Sequence, residues 1–261
     1  MTAAEVSALP RTCYPAVWLW PGQALYAGPS LNLEPHSGSV WCLAVGVDGD
    51  LTVTSGKSRV VARSVLIPPR LVHHLDTHGG GLVSCYFDAS SDRVAGCRAK
   101  CTGATGQFAT EHADSAVLAQ VPRDDASALR WLDLAAPASR RGLDPRIAEA
   151  IARIAADPAG APAARELAAE LGLSESRFLH LFRAAVGTSL RRYRIWMRLI
   201  GVGVALAAGT NLTDAAADAG FASPSHLADR FKSTFGLTAT DLLSRGTALH
   251  LPDAGARSRT G

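Results

Sequence analysis

The sequence predicts an α+β fold: an N-terminal β-barrel followed by an all-α domain. Three observations carry that prediction. Residues 16 to about 90 hold short β-branched and aromatic runs broken by Gly and Pro at close intervals. From Trp131 the apolar spacing changes to a helical period. Within the helical region a single segment occurs twice, 49 positions apart.

The chain of 261 residues is long enough for one large core or two ordinary ones. With 48% apolar and 19% charged residues it has the composition of a soluble globular protein. The net charge of +3 is too small to name a partner. No apolar run approaches the roughly 18 residues of a membrane span, and the N-terminus lacks the layout of a secretion signal. The five cysteines (Cys13, Cys42, Cys85, Cys97, Cys101) are odd in number and irregularly spaced, unlike a secreted disulfide framework. The expectation is a cytoplasmic protein with no membrane partner.

Along the chain, residues 1–15 read as a flexible N-terminus and 16–125 as the barrel. In "VWCLAVGVDGDLTV" two apolar runs flank Asp48-Gly49, a strong hairpin signal. In "RSVLIPPRLVHHLDTHGGGLVSCYFD" a β-branched run stops at Pro68-Pro69, and a second run, Leu82 to Phe87, follows a glycine cluster. Residues 91–125 read as a short helix and a return strand. Leu129, Leu132 and Leu134 mark a linker helix over 126–143. Asp144-Pro145 then starts the all-α domain, 144–246, with an N-cap acceptor followed by Pro at the first helical position. Ile147, Ile151 and Ile154 form its first apolar stripe, closed by Asp157-Pro158. Residues 247–261 read as a disordered tail.

The repeat pairs "SESRFLHLFRAAVGTS" from Ser174 with "SPSHLADRFKSTFGLT" from Ser223. Ser174 matches Ser223, Phe182 matches Phe231, Arg183 matches Lys232 and Gly187 matches Gly236. Each copy follows a short alanine-rich helix and a glycine, with the second turn one residue longer. Helix, tight turn, capped helix is the helix-turn-helix pattern, present here twice. In the first copy Phe178, Leu181 and Phe182 face inward, leaving Ser176, Arg177, His180 and Arg183 outside. In the second, Leu227 and Phe231 face inward, leaving Ser225, His226, Asp229, Arg230 and Lys232 outside. Hydroxyls, imidazoles and cations can donate to phosphates or reach base edges in a major groove. One such helix alone is most simply a solvated amphipathic face. Two matched helices at fixed separation suit two successive major-groove segments. From Ser176 to Thr213 there are six arginines, Arg177, Arg183, Arg191, Arg192, Arg194 and Arg198, and no acid. Several of these, Arg191 and Arg192 among them, are expected on phosphates. Tyr193, Trp196, Ile200 and Val204 mark a long helix joining the two units.

On "LAAELGLSESRFLHLFRAAVGTSLRRY", "WMRL" and "AAADAGFASPSHLADRFKSTFG", residues 144–246 resemble the DNA-binding domain of AraC/XylS-type transcription regulators. The chain departs from that family's frequent Ser/Thr-Pro after each closing glycine, having Ser189-Leu190 and Thr238-Ala239. The resemblance implies an N-terminal cupin-like sensing domain, promoter DNA as partner, a small-molecule effector, and contacts with RNA polymerase or a second copy of the chain. "EPHSGSVWCLAVGVDGDLTV" and "LIPPRLVHHLD" are similar to that sensing domain and point to His36, Trp41, His73 and His74 as effector-binding residues.

Two other readings stand beside this one. Metal-binding cupins carry a second histidine and a carboxylate close after the first, but Ser37 and Gly38 follow His36, so a metalloenzyme with a helical appendage lacks its ligand set. At His73-His74 a strand start with one ring out and one hydrogen-bonded inside is the simpler reading. Cys97 and Cys101 in "GCRAKC" could share one face of a short helix, where Arg98 and Lys100 would stabilise their thiolates as a metal or redox sensor. The plainer account is two small residues in a helix. No nucleophile-base motif, P-loop or dinucleotide fingerprint is present, so no cofactor and no enzymatic activity are expected.

Overall fold

Alternation along the N-terminal strands sends side chains to both faces of one sheet, which explains their nearly continuous apolar runs. A computed structural model describes residues 15–88, 91, 93–138 and 142–252. The strands are β1 (Ala16–Trp20), β2 (Gln23–Gly28), β3 (Trp41–Gly46), β4 (Leu51–Ser55), β5 (Ser58–Ala62), β6 (Ser64–Ile67), β7 (His74–Asp76) and β8 (Leu82–Phe87). After them come α1 (Arg93–Ala99), β9 (Cys101–Thr105), β10 (Phe108–His112), α2 (Ser115–Leu118) and α3 (Asp125–Ala135). The order β11-β1-β2-β8-β3-β6-β10-β9 makes an eight-stranded sheet, where β11 (Ala248–His250) comes from the far end of the chain; β5-β4-β7 make a second sheet.

Trp18, Trp20, Leu25, Leu43, Val83 and Phe87 point to one face of the large sheet, against Trp131 and Leu132 of α3 and Cys97 of α1. Leu19, Tyr26, Cys42, Ala44 and Tyr86 point to the other face, where they meet Val53, Val60 and Leu75 of the small sheet and the helical half. The architecture is α+β as expected, but the sheet does not close into a barrel; the two sheets face each other in a jelly-roll-like arrangement. Asp48-Gly49 accordingly has a different role from the hairpin expected of it. Strands β3 and β4 do not pair as a hairpin, because β3 lies between β8 and β6 while β4 lies between β5 and β7. The turn instead carries the chain from one sheet to the other, and Asp48 accepts a hydrogen bond from Gly81 N at 2.7 Å. The hairpin of the small sheet is β4–β5, turning at Gly56 with φ 56°.

The helical half runs α4 (Pro145–Ala156), α5 (Ala164–Glu170), α6 (Glu175–Val186), α7 (Leu190–Ala207), α8 (Leu212–Asp218), α9 (Pro224–Phe235) and α10 (Ala239–Ser244). Asp144 caps α4 by accepting from Arg146 N, and Ile147 and Ile154 are buried under it. The segment read as a linker helix is α3, which covers a sheet face rather than joining the halves. The expected tail needs a similar correction: Ala248–His250 adds a parallel strand beside β1, and residues 253–261 lie outside the described residues. The expected flexible N-terminus also lies outside them, apart from Pro15.

The halves share one core. Trp196 of α7 is fully buried and donates to Gly22 O at 3.1 Å, Tyr193 donates to Asp88 at 2.7 Å, and Phe235 of α9 meets Tyr86 edge-on at 5.2 Å. No helix among the described residues is long and apolar enough to cross a membrane.

Candidate nucleic-acid interface

The two copies of the repeat fold alike. Helices α6 and α9 are each 12 residues long. Ser174 and Ser223 cap them, accepting from Arg177 N and His226 N, and satisfy backbone donors the helix cannot. Gly187 (φ 73°) and Gly236 (φ 82°) end them in the left-handed conformation. Helices α5 and α8 precede them, with Gly172 and Gly220 at positive φ in the turns. Ser189 and Thr238 cap α7 and α10 without the proline the resemblance would put there.

On α6 the inward set is as read: Phe178 and Phe182 are buried. Ser176, Arg177, His180 and Arg183 are all exposed, as are Ser225 and Asp229 of α9. The remaining expected DNA-facing residues differ. Arg230 lies partly buried with its Nε 3.3 Å from His226 Nε2, and both line a cleft between the two units. Lys232 forms an ion pair with Glu34 at 2.8 Å, and Arg192 donates to Ser37 Oγ at 2.8 Å, so both face the N-terminal half. Main-chain bonds run along the same seam, from Glu34 N to Gly236 O at 2.9 Å and from Ser37 N to Ser233 O at 3.1 Å. Arg191 is exposed.

Two arginines of the acid-free window are engaged with carbonyls. Arg198 donates to Pro158 O at 3.0 Å, Gly220 O at 2.9 Å and Ala159 O at 3.0 Å. Arg194 donates to Pro162 O. They tie the α4–α5 connection and the second turn to α7, a role no local sequence signal marks.

The residues expected to bind an effector do not meet at one site. His36 and His73 are buried side by side, ring centroids 4.4 Å apart, with their Nδ1 atoms bonded to the carbonyls of Glu34 and Leu71. Burial, then the neighbouring His73, lowers His36 to a pKa of about 4. His74 is exposed, so the pair has one ring out and one in. Trp41 stacks under the Arg98 guanidinium at 5.7 Å. An apolar cavity of about 90 Å³ opens elsewhere, at the seam, with Tyr26, Tyr86, Leu199, Gly203, Phe231 and Phe235 among its walls. Its walls come from both halves, so no contiguous stretch of sequence announces it.

Cys97 and Cys101 do not share a helix face: α1 ends at Ala99 and Cys101 begins β9. Cys101 Sγ donates to Cys97 O at 3.5 Å. Its bond with Cys101, together with burial, raises the Cys97 thiol, while the bond to Cys97 lowers that of Cys101. Lys100 is bound to Asp114 and Leu134 O, which removes it as a thiolate partner. Among the described residues no three His, Cys, Asp or Glu side chains cluster as a metal site.

Residues 167–245 match the helix-turn-helix domain family. This segment is an AraC-type helix-turn-helix domain. Over most of its length the chain shares its fold with solved structures of ToxT. Apo ToxT from Vibrio cholerae is similar in structure at 14% identity, with 89% of this chain and 95% of that one covered and a TM-score of 0.52. Wild-type ToxT from Vibrio cholerae bound to an unsaturated fatty acid is similar at 13% identity, covering 90% and 95%, with a TM-score of 0.52. At these identities the likeness concerns the fold. No curated protein matches the chain.

Proposed function

We propose that this protein is a sequence-specific transcription regulator that binds promoter DNA through α6 and α9 and responds to an apolar small molecule held at the seam between its halves. The observation that carries the reading is the pair of identically capped 12-residue helices of the AraC-type domain, with polar residues on their free faces. Ser176, Arg177 and His180 on α6 and Ser225 and Asp229 on α9 are the base-facing candidates, while Arg183, Arg191 and Arg230 serve phosphates, joined by Lys232 once it is released from Glu34. Arg192 supports the seam rather than DNA.

The effector class follows from the cavity. Its polar wall groups are Tyr26, Ser84 and Tyr86, and among the described residues no acid or cation lines it. About 90 Å³ holds only a few heavy atoms, so a larger apolar ligand must move the two halves relative to each other. That movement would couple binding to the seam where Lys232 is paired. The unsaturated fatty acid named with ToxT carries a long apolar chain, the part of a ligand that walls of this kind suit. A cytoplasmic location, homodimers and contact with RNA polymerase accord with this role, which needs no catalytic chemistry.

A mobility-shift assay against the gene's own upstream region tests the proposal. Binding at low salt that weakens in Arg177→Ala is expected, and no binding at any salt would sink it. Thermal unfolding with long-chain apolar ligands tests the effector reading: stabilisation lost on filling the cavity with Leu82→Phe supports it, and no shift with any of them refutes it.

A further inference from the structure

The helical half has a second recess, distinct from the apolar cavity. A cleft of about 390 Å³ between the two helix-turn-helix units is lined by Arg191, Arg194 and Arg198 of α7 and His226 and Arg230 of α9, over an apolar floor that includes Phe221. The three α7 arginines fall on one helix face by their spacing of three and four. Among the described residues no acid lines the cleft. None of its four guanidiniums has an ion pair among the described residues. Arg194 and Arg198 cannot swing apart to relieve their repulsion, because carbonyls of 158–162 and Gly220 hold them. Glu166 lies near enough to Arg194 to favour its charged form, but one carboxylate does not balance four guanidiniums, and concentrated, anchored positive charge calls for a further anion from outside.

Two donors are left over. Arg230 Nε–H donates to His226 Nε2, so in the neutral ring the proton belongs on His226 Nδ1. Among the described residues that Nδ1 is buried without a partner, and so is Arg194 Nε. Both unfilled positions are N–H groups, and an unpaired buried donor costs free energy that an anionic oxygen would recover.

We propose that this cleft is a seat for one phosphate group. Resting on the reading above, the group is the DNA backbone phosphate that lies between the two major-groove segments taken by α6 and α9. A duplex spanning two successive major grooves presents its intervening phosphate ridge at that point. Arg191, exposed at the mouth, is the first cation the phosphate meets, and Arg230 closes on it from the second unit. A free phosphorylated molecule would present the same chemistry, so the test separates the two sources.

The full-length protein is titrated with promoter duplexes carrying a single uncharged methylphosphonate linkage, moved step by step through the central segment. Arg191→Ala and Arg191→Lys are compared with wild type; Arg191 is exposed, and thermal unfolding checks that both variants fold. One or two adjacent central linkages are expected to weaken wild-type binding about tenfold, as loss of a charge-assisted bond does. The same linkages should matter little to Arg191→Ala, whose salt slope falls by about one, and Arg191→Lys should recover some of the effect. In parallel, inorganic phosphate is titrated against thermal unfolding at constant ionic strength. A rise in Tm lost in Arg191→Ala, with no sensitive central linkage, assigns the seat to a free phosphate and supports the site with the other source. DNA binding with no sensitive linkage and no phosphate effect overturns the seat and leaves the regulator standing. Absence of both DNA binding and any phosphate effect overturns both.

Discussion

Gly187 and Gly236 close the two copies of the repeat in the same left-handed conformation, yet alanine should affect them unequally. At either position alanine costs about 1 kcal/mol for a side chain at positive φ. A Cβ on Gly187 would meet Pro69 Cγ at 3.7 Å and Trp41 Nε1 at 3.9 Å, ordinary contacts that add nothing. A Cβ on Gly236 would fall 2.5 Å from Glu34 O, 2.8 Å from His36 Nδ1 and 3.0 Å from Leu33 Cβ, so the 33–36 segment must retreat. Its retreat stretches the bonds from Glu34 N to Gly236 O and from Ser37 N to Ser233 O. At about 1 kcal/mol each, Gly236→Ala should cost about 3 kcal/mol against about 1 for Gly187→Ala. Urea unfolding of both variants measures the difference, and small-angle scattering reports whether only Gly236→Ala loosens the halves. Equal losses with unchanged dimensions would refute the claim that the second reading helix is docked on the N-terminal half.

Three more outcomes follow from the same contacts. The folded His36 pKa of about 4 lies below its ordinary 6.5, so the unfolded chain takes up the proton first as pH falls. The stabilisation is therefore full above about pH 6.5 and drains away towards pH 4, by up to about 3 kcal/mol; urea midpoints that stay level from about pH 7 to about pH 5 would contradict it. Glu34→Gln should leave Tm almost unchanged, because solvent screens the exposed pair with Lys232, yet should tighten DNA binding up to about fivefold by freeing Lys232; weaker binding would argue against its role on phosphates. Arg198→Ala strips donors from three carbonyls and should destabilise by at least about 2 kcal/mol, whereas exposed Arg177→Ala should be neutral to stability within about 0.5 kcal/mol.

Local chemistry was legible in the sequence. Ser-x-x caps, closing glycines, the 49-residue spacing and the run Leu82–Phe87 are contiguous signals, and the structure places α6, α9 and β8 on them. What stayed hidden depends on contacts between distant segments. Asp48-Gly49 reads as a hairpin because turn chemistry is local, but whether β3 pairs with β4 or with β6 is decided by the whole sheet. Arg192 reads as a DNA contact, and Arg194 and Arg198 as part of a basic, acid-free window, because charge is visible in a sequence and the hydroxyl and carbonyl partners are not. The apolar cavity needs Tyr26, Tyr86 and Phe235 brought together from both halves. Ala248–His250 read as tail because three residues carry no periodicity, and only β1 makes them a strand.

The central claim is that two equivalent helices enter DNA side by side. Methylation protection of the bound upstream region tests it most directly. Two protected major-groove patches are expected on one face of the duplex, about one helical turn apart, with only the α6 patch fading in Arg177→Ala. A single protected patch, or protection confined to the minor groove, would contradict it.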